Sequence, residues 1–282
     1  MLCKIGEVEV WRILEMNGPF REATTLFPTA GPDVAAVMND LAPGQVDDDG
    51  RVILPVQGFL LKTPRHVVLV DACVGNHKSM PTFEPWNMRD DNRFMSALTA
   101  AGVTPQDVDY VMCTHLHIDH VGWNTVLENG RWVPTFPNAR YLMPGADVPF
   151  VRDADMPLYH ESVLPIIEAG LAEQVGPDHR LGDEITLVPT PGHTPGHVSV
   201  KITSGGAEAY ITGDAIHTTP QCAHPEWHFV YDADPEEAVT SRRRLLETVA
   251  EVQATVLGTH FLMPSVGRVR EDGDGFVWDA LV

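Results

Sequence analysis

Three imidazoles and one carboxylate fall within six residues in the stretch Thr114-His115-Leu116-His117-Ile118-Asp119-His120. Neutral imidazole nitrogens with a carboxylate oxygen make a ligand set of borderline softness, suited to zinc and also to iron(II), manganese or cobalt. A polar loop whose histidines merely make hydrogen bonds accounts well for one such residue and poorly for four. Residues 108–114 form a short, largely apolar run that predicts a strand, so His115 and His117 stand where a strand gives way to a loop. Two histidines one residue apart can point to the same side there. Asp119 and His120 are adjacent, and in a turn their side chains can diverge toward a second centre.

Strand ends carry further ligand-type residues downstream. Residues 184–190 predict a strand and run into Pro191-Gly192-His193-Thr194-Pro195-Gly196-His197; residues 209–212 lead into Gly213-Asp214, and residues 254–258 into Thr259-His260. The elements around them are legible in part. Residues 4–15 alternate imperfectly and predict an opening strand, and residues 52–61 and 66–72 predict a hairpin around Thr63-Pro64-Arg65 that ends at Asp71. Residues 92–101 predict a helix with Phe94, Leu98 and Ala101 on one face, and residues 145–175 read as mainly helical. The last helix has Asp234 as N-cap, Pro235 at its first position and Glu236 and Glu237 in its first turn.

Two segments lack a clear period. Residues 17–50, punctuated by Gly18-Pro19, Gly31-Pro32, Pro43-Gly44 and Asp47-Asp48-Asp49-Gly50, make an excursion from the sheet around a helix near 33–41. It can serve as a solvated connection, a flap over the site or a dimer contact. Residues 74–93, rich in Met and aromatic residues, either pack on the body or line a pocket. His160 and His179 lack ligand spacing and read as surface or hydrogen-bonded residues.

A formal charge of −20 and a pI near 4.8 disfavour a grip on nucleic acid, the more so because the one basic cluster, Arg242-Arg243-Arg244, lies on a predicted helix. A small neutral substrate is expected. Cys3, Cys73, Cys113 and Cys222 have no CxxC spacing, so neither a zinc ribbon nor a disulfide framework is indicated. With no apolar run long enough for a membrane span and no signal-peptide pattern, the expected location is the cytoplasm.

HxHxDH followed by a His, an Asp and a His that each close a strand resembles the metallo-β-lactamase superfamily over most of the chain. The resemblance implies an α+β fold, a four-layer αββα sandwich over residues 1–282 with the metal site at one edge of the two sheets. It further implies that His115, His117 and His193 hold one divalent ion, that Asp119, His120 and His260 hold a second, and that Asp214 bridges them, most readily as two Zn2+ ions. Asp71 matches the acidic residue that braces the metal loop. A hydroxide between two such ions is a nucleophile at neutral pH, and Asp119 can orient it and shuttle its proton.

Within the superfamily, Asp214 stands where dedicated β-lactamases of the B1 type place a cysteine. Glyoxalase II carries a helical C-terminal domain with basic residues, whereas this sequence ends about twenty residues after His260. The remaining resemblance is to the lactonase branch and its neighbours that hydrolyse organophosphate triesters, with Gly213-Asp214-Ala215-Ile216-His217 and Gln221 similar to that group. A lactone, acyl-homoserine lactone included, is the expected substrate, with aryl esters and phosphotriesters as side activities. His217 departs from the pattern, because the branch places a tyrosine there to hydrogen-bond the substrate carbonyl. An imidazole could donate the same bond, so His217 joins Asp119 as a candidate catalytic residue. His224 and His228, beside Trp227 and Phe229, are candidates to line the pocket. The alternatives are a β-lactamase-like amidase and a non-catalytic metal-binding sensor.

Overall fold

The alternation over residues 4–15 becomes two antiparallel strands in the computed structural model, which describes residues 1–281. Gly6 takes φ 55° between β1 (Cys3–Ile5) and β2 (Val8–Glu22), reversing the chain where the absence of a Cβ makes a left-handed residue cheap. β2 continues through Gly18-Pro19, with Pro19 exposed, so the excursion begins at the short helix Ala23–Leu26 rather than at residue 17. β3 (Arg51–Lys62) and β4 (Val67–Val70) form the expected hairpin, with Lys62 opposite Val67.

Two units partition the chain, one of Met1–Met16 and Val56–Gly176 and the other of Asn17–Pro55 with Pro177 onward. In the first, β4 is followed in parallel by β5 (Tyr110–Met112). A small hairpin, β6 (Thr125–Glu128) and β7 (Arg131–Pro134), precedes β8 (Arg140–Pro144) and β9 (Ala172–Val175), both parallel to β5. The resulting sheet has the order β1-β2-β3-β4-β5-β8-β9. Residues 145–175 are mainly helical as expected, with β9 as the exception. Helices occupy Asp147–Asp153 and Leu164–Glu168, but Ala172–Val175 buries only Val175 and offers too little alternation to be read as a strand. The helix Arg93–Ala100 buries Phe94 and Leu98, as its spacing predicts.

The apolar loop after β4 packs on the body through Trp86 and through a residue its composition did not flag. Lys78 is fully buried, donates to Thr125 Oγ1 at 2.6 Å and to the carbonyl of Glu161 at 3.1 Å, and sits 3.4 Å over the centre of the Trp132 ring. Glu161 belongs to the π-helical turn Tyr159–Val163, whose looser winding leaves carbonyls to accept from elsewhere. Burial pushes the amine down to about 7. The unfolded chain therefore binds the extra proton between pH 7 and the ordinary lysine value, and stability rises with pH across that window. Relative to Lys78→Met, the wild type should gain on the order of 2 kcal/mol between pH 7 and 9.5 in urea melts. Parallel pH profiles for the two proteins would show that the ammonium stays charged in its enclosure.

In the second unit β10 (Arg180–Leu181), β11 (Ile185–Pro189), β12 (Val198–Ser204), β13 (Ala207–Ile211), β14 (Thr255–Leu257), β15 (Val266–Asp272) and β16 (Gly275–Ala280) lie side by side in chain order. Neighbours are antiparallel except β13 and β14, which are parallel because the helix Pro235–Glu251 crosses between them. Asp234 caps that helix by accepting from Glu237 N at 3.1 Å, as expected. Leu245, Leu246 and Val249 pack with Tyr210, Val256, Phe261 and Val269, each large side chain contributing about 1.5–3 kcal/mol by burial. The excursion belongs to this unit. Phe27 lies 5.9 Å from the Trp227 ring and 5.5 Å from that of Phe229, and Val230 N donates to Leu26 O at 2.9 Å.

Candidate metal centre

In the first unit, β4 and β5 pair in parallel with Val70 opposite Met112, so both strands deliver polar residues at the same level. Asp71 follows one and Thr114 the other. Asp71 accepts from Thr114 N at 2.8 Å and pairs with His120 Nδ1 at 3.0 Å, which is the bracing role expected of it. Asp71 takes φ 60°, and at Gly58 a Cβ would stand 2.2 Å from the Asp71 carbonyl oxygen, so glycine lets the β3 backbone cradle this turn. His117 precedes the short helix Ile118–Val121, whose first turn carries Asp119 and His120. The ligand atoms of His115 and His117 lie within 4.8 Å of each other, as do those of Asp119 and His120. Thr114 Oγ1 contacts His115 Nδ1 at 3.1 Å, and Leu116 N donates to the buried Asp147 at 3.2 Å.

Glu15 holds the far end of this loop. Its carboxylate accepts from Val74 N at 2.8 Å, Gly75 N at 3.2 Å and Trp123 Nε1 at 2.7 Å. Burial raises its pKa, against the pull of those hydrogen bonds. No spacing in the sequence marks Glu15, because its partners lie about sixty and a hundred residues away.

In the second unit the parallel register places Ile211 opposite Leu257, and each strand is followed three residues later by a candidate ligand. His260 Nε2 accordingly lies 3.2 Å from Asp214 Oδ1. His193, on the loop between β11 and β12, brings Nε2 to 3.3 Å from Asp214 Oδ2. His260 Nδ1 donates to the carbonyl of Pro55 at 2.6 Å, and His193 Nδ1 pairs with Asp232 Oδ1 at 2.8 Å. Burial works to raise the Asp232 carboxyl, but the His193 bond and the neighbouring cations outweigh it and hold its pKa below the ordinary value. His197 supports Asp214 from behind. Its Nδ1 meets Thr190 and its Nε2 accepts the Asp214 backbone N–H at 2.8 Å.

His217 is buried rather than a loop residue facing water. Its ring stacks on Phe229 at 3.5 Å between centroids, its Nε2 lies 3.3 Å from Asp214 Oδ2, and its backbone N–H donates to Gln221 Oε1 at 2.7 Å. Burial pushes the imidazole down to about 4, against the attraction of Asp214. His224 stacks on Trp227 and pairs with Glu226, while His228 lies 3.5 Å from Glu236. His160 is exposed and bonds Asp155, as a surface histidine should.

Arg242, in the basic cluster on the helix Pro235–Glu251, does not face solvent. It is fully buried, and its donors reach the carbonyls of Ala215, Pro225 and Trp227. Asp232 and Arg242 were invisible as site residues because nothing in their local sequence separates them from loop and helix-surface charges.

Four of the five histidine ligands expected from the sequence commit Nδ1 to an oxygen partner, so the nitrogen each would offer a metal is Nε2. Imidazoles oriented this way, together with carboxylates in a buried setting, fit a divalent metal ion.

The fold and these strand-end ligands define a class. The chain belongs to the metallo-β-lactamase superfamily, whose model matches residues 52–260, and its fold is the α+β sandwich of that superfamily. An N-acyl homoserine lactonase from Bacillus sp is 28% identical over 239 residues, spanning 81% of this chain and 88% of the relative. Among solved structures, AidC, a dizinc quorum-quenching lactonase in complex with a product, has TM-score 0.81 at 21% identity, covering 99% of this chain and 96% of the other. Hydrolase AbOPH of the beta lactamase superfamily has TM-score 0.83 at 22% identity, with the same coverage. These relatives place the chain among the hydrolases of the superfamily. Among the described residues, no helix is long and apolar enough to cross a membrane.

Proposed function

We propose that this chain is a metal-dependent hydrolase of small neutral esters, lactones first, in which His115, His117 and His193 hold one divalent ion, Asp119, His120 and His260 a second, and Asp214 is shared. Zinc is the ion the donor set suits best, with Fe2+, Mn2+ and Co2+ as substitutes. The observation that carries the reading is the shared orientation of His115, His120, His193 and His260, whose Nδ1 atoms each meet an oxygen partner and so leave Nε2 as the nitrogen to offer a metal. Two ions bound there would supply an activated water and Lewis-acid stabilisation of the reacting oxygens.

The protein's own groups complete the chemistry. Asp119 would orient the attacking water and receive its proton on a carboxylate oxygen. His217 would donate a hydrogen bond to the oxygen on which charge builds as the ring opens. A neutral imidazole donates only from the nitrogen that carries its proton, and His217 Nδ1 makes no hydrogen bond among the described residues, so this role calls for the Nδ1–H tautomer. A net charge of −20 repels anionic substrates and favours a neutral ester. The 28% identical Bacillus lactonase makes an acyl-homoserine lactone the first substrate to try.

The experiment is a substrate panel on zinc-loaded protein: acyl-homoserine and simple lactones, an aryl ester, an aryl phosphotriester and a β-lactam. Lactone turnover above all others supports the reading. Preferred β-lactam turnover would favour an amidase, and metal binding without turnover of any would favour a sensor. Within that panel His217→Ala should lower kcat and kcat/KM together by on the order of tenfold to a thousandfold with metal content unchanged. His217→Tyr should shift preference toward lactones bearing an acyl chain. If both variants stay within about twofold of wild type on every substrate, His217 has no part in the reaction.

A further inference from the structure

We infer that Arg242 is a positioning residue that holds two candidate metal ligands, His193 and Asp214, in register through one buried guanidinium. The inference rests on the reading of those two residues as ligands. Arg242 Nε donates to the carbonyl of Ala215 at 2.8 Å, the residue directly after Asp214. Its Nη2 lies 3.6 Å from Asp232 Oδ2, while Asp232 Oδ1 pairs with His193 Nδ1 at 2.8 Å. Nη1 donates to the carbonyls of Pro225 and Trp227 at 2.9 and 2.8 Å, so the guanidinium is fixed independently of the groups it positions.

Gln221 extends the same network, donating to Trp227 O at 3.3 Å and accepting from His217 N. The helix Pro235–Glu251 that carries Arg242 also abuts the His193 loop at its other end. Gly192, at φ 123°, would place a Cβ 2.1 Å from Ala238 N, and Asp234 N donates to the Gly192 carbonyl at 2.8 Å. One helix thus fixes the backbone before His193 and, two turns on, the carboxylate that orients its ring.

Energetics argue for geometry over stability as the reason for this cation. A buried ion pair is at best near break-even against apolar packing, and a 3.6 Å contact is longer than a hydrogen bond. What the guanidinium offers is a planar fork that reaches acceptors in several fixed directions at once. Asp232 is enclosed with it, its second oxygen accepting from Phe229 N at 3.1 Å. An ammonium at position 242 could satisfy some of these acceptors and not all of them.

The test uses Asp232→Asn, Arg242→Lys and Arg242→Met, with Arg243→Met, on the same helix but only half-buried, as control. Metal-free protein is examined by proton–nitrogen NMR for the His193 Nδ1–H resonance, and zinc affinity is then measured by competition with a chromophoric chelator. In wild type the Nδ1–H proton should be resolved far downfield by its carboxylate partner. Asp232→Asn and Arg242→Met should move or broaden it and weaken zinc binding by on the order of tenfold to a hundredfold. Arg242→Lys should recover part of both, which a residue needed only for folding would not do, and Arg243→Met should change neither. Folded Asp232→Asn and Arg242→Lys proteins with an unmoved resonance and wild-type affinity would overturn the inference. If wild type itself takes up no zinc, the metal reading fails, while the NMR arm in metal-free protein still decides whether Arg242 and Asp232 position His193.

Discussion

Asp214→Ala should abolish turnover to within on the order of a hundredth to a thousandth of wild type and should reduce metal content at both sites. The carboxylate stands among three imidazoles in its own unit, with His193 Nε2 and His217 Nε2 each 3.3 Å from one oxygen and His260 Nε2 3.2 Å from the other. Its backbone N–H is held by His197, so an alanine there keeps the loop in place while removing the carboxylate proposed to be shared. Two ions close together repel strongly unless an anion lies between them. Losing that anion therefore weakens both sites, whereas His117→Ala should empty one site preferentially. His179→Ala, outside the ligand set, should leave metal content and rate unchanged. Metal analysis beside steady-state kinetics decides the matter: an Asp214→Ala protein with two tightly held ions and normal turnover would show that the carboxylate is not shared.

Gly122→Ala is the substitution expected to cost most stability, at least about 3 kcal/mol and on the order of 5–10 °C in Tm. A Cβ at 122 would stand 1.7 Å from the Val74 carbonyl oxygen and 2.0 Å from its carbon, both backbone atoms that cannot swing aside. The two segments are zipped together around this point. Ala72 N donates to His120 O, Gly122 N to Cys73 O and Trp123 N to Ala72 O, each at 2.7 Å. Because the first of these bonds ends on His120, the strain should pass directly into the ligand loop and lower metal affinity as well. Gly130→Ala is the matched control. It sits in the β6–β7 turn at φ 76° with nothing within 4 Å of the added methyl, so it should cost only about 1 kcal/mol. Gly122 itself has an ordinary helical φ of −58°, so equal melting losses for the two would mean that the close approach of the Val74 backbone costs no more than the left-handed φ of Gly130.

The ligand types and their strand-end positions were legible because imidazoles at short spacing and apolar runs are local features. HxHxDH, Gly213-Asp214 and Thr259-His260 each follow a run whose composition predicts a strand, and β5, β13 and β14 lie where those runs stand. Asp234 as helix cap was equally local. The groups that orient the ligands were mostly hidden. Asp71 emerged only through the resemblance, while Asp232, Arg242, His197 and Glu15 act across chain separations with no period connecting them. Arg242 stood in the sequence only as one of three arginines on a predicted helix, and its burial was hidden because the carbonyls that receive Nε and Nη1 lie fifteen to twenty-seven residues away. Lys78 was concealed among Met and aromatic residues for the same reason: its partners, Thr125, Trp132 and Glu161, come from a hairpin and a π-helical turn that no local pattern joins to residue 78.

Titrating metal-free protein with Zn2+ while following the hydrolysis of an acyl-homoserine lactone tests the central claim most directly. The account predicts no turnover without metal, a rise to a plateau at two ions per chain, and loss of the plateau in Asp214→Ala. Full turnover in chelated protein, or a plateau at a single ion that Asp214→Ala leaves unchanged, would contradict it.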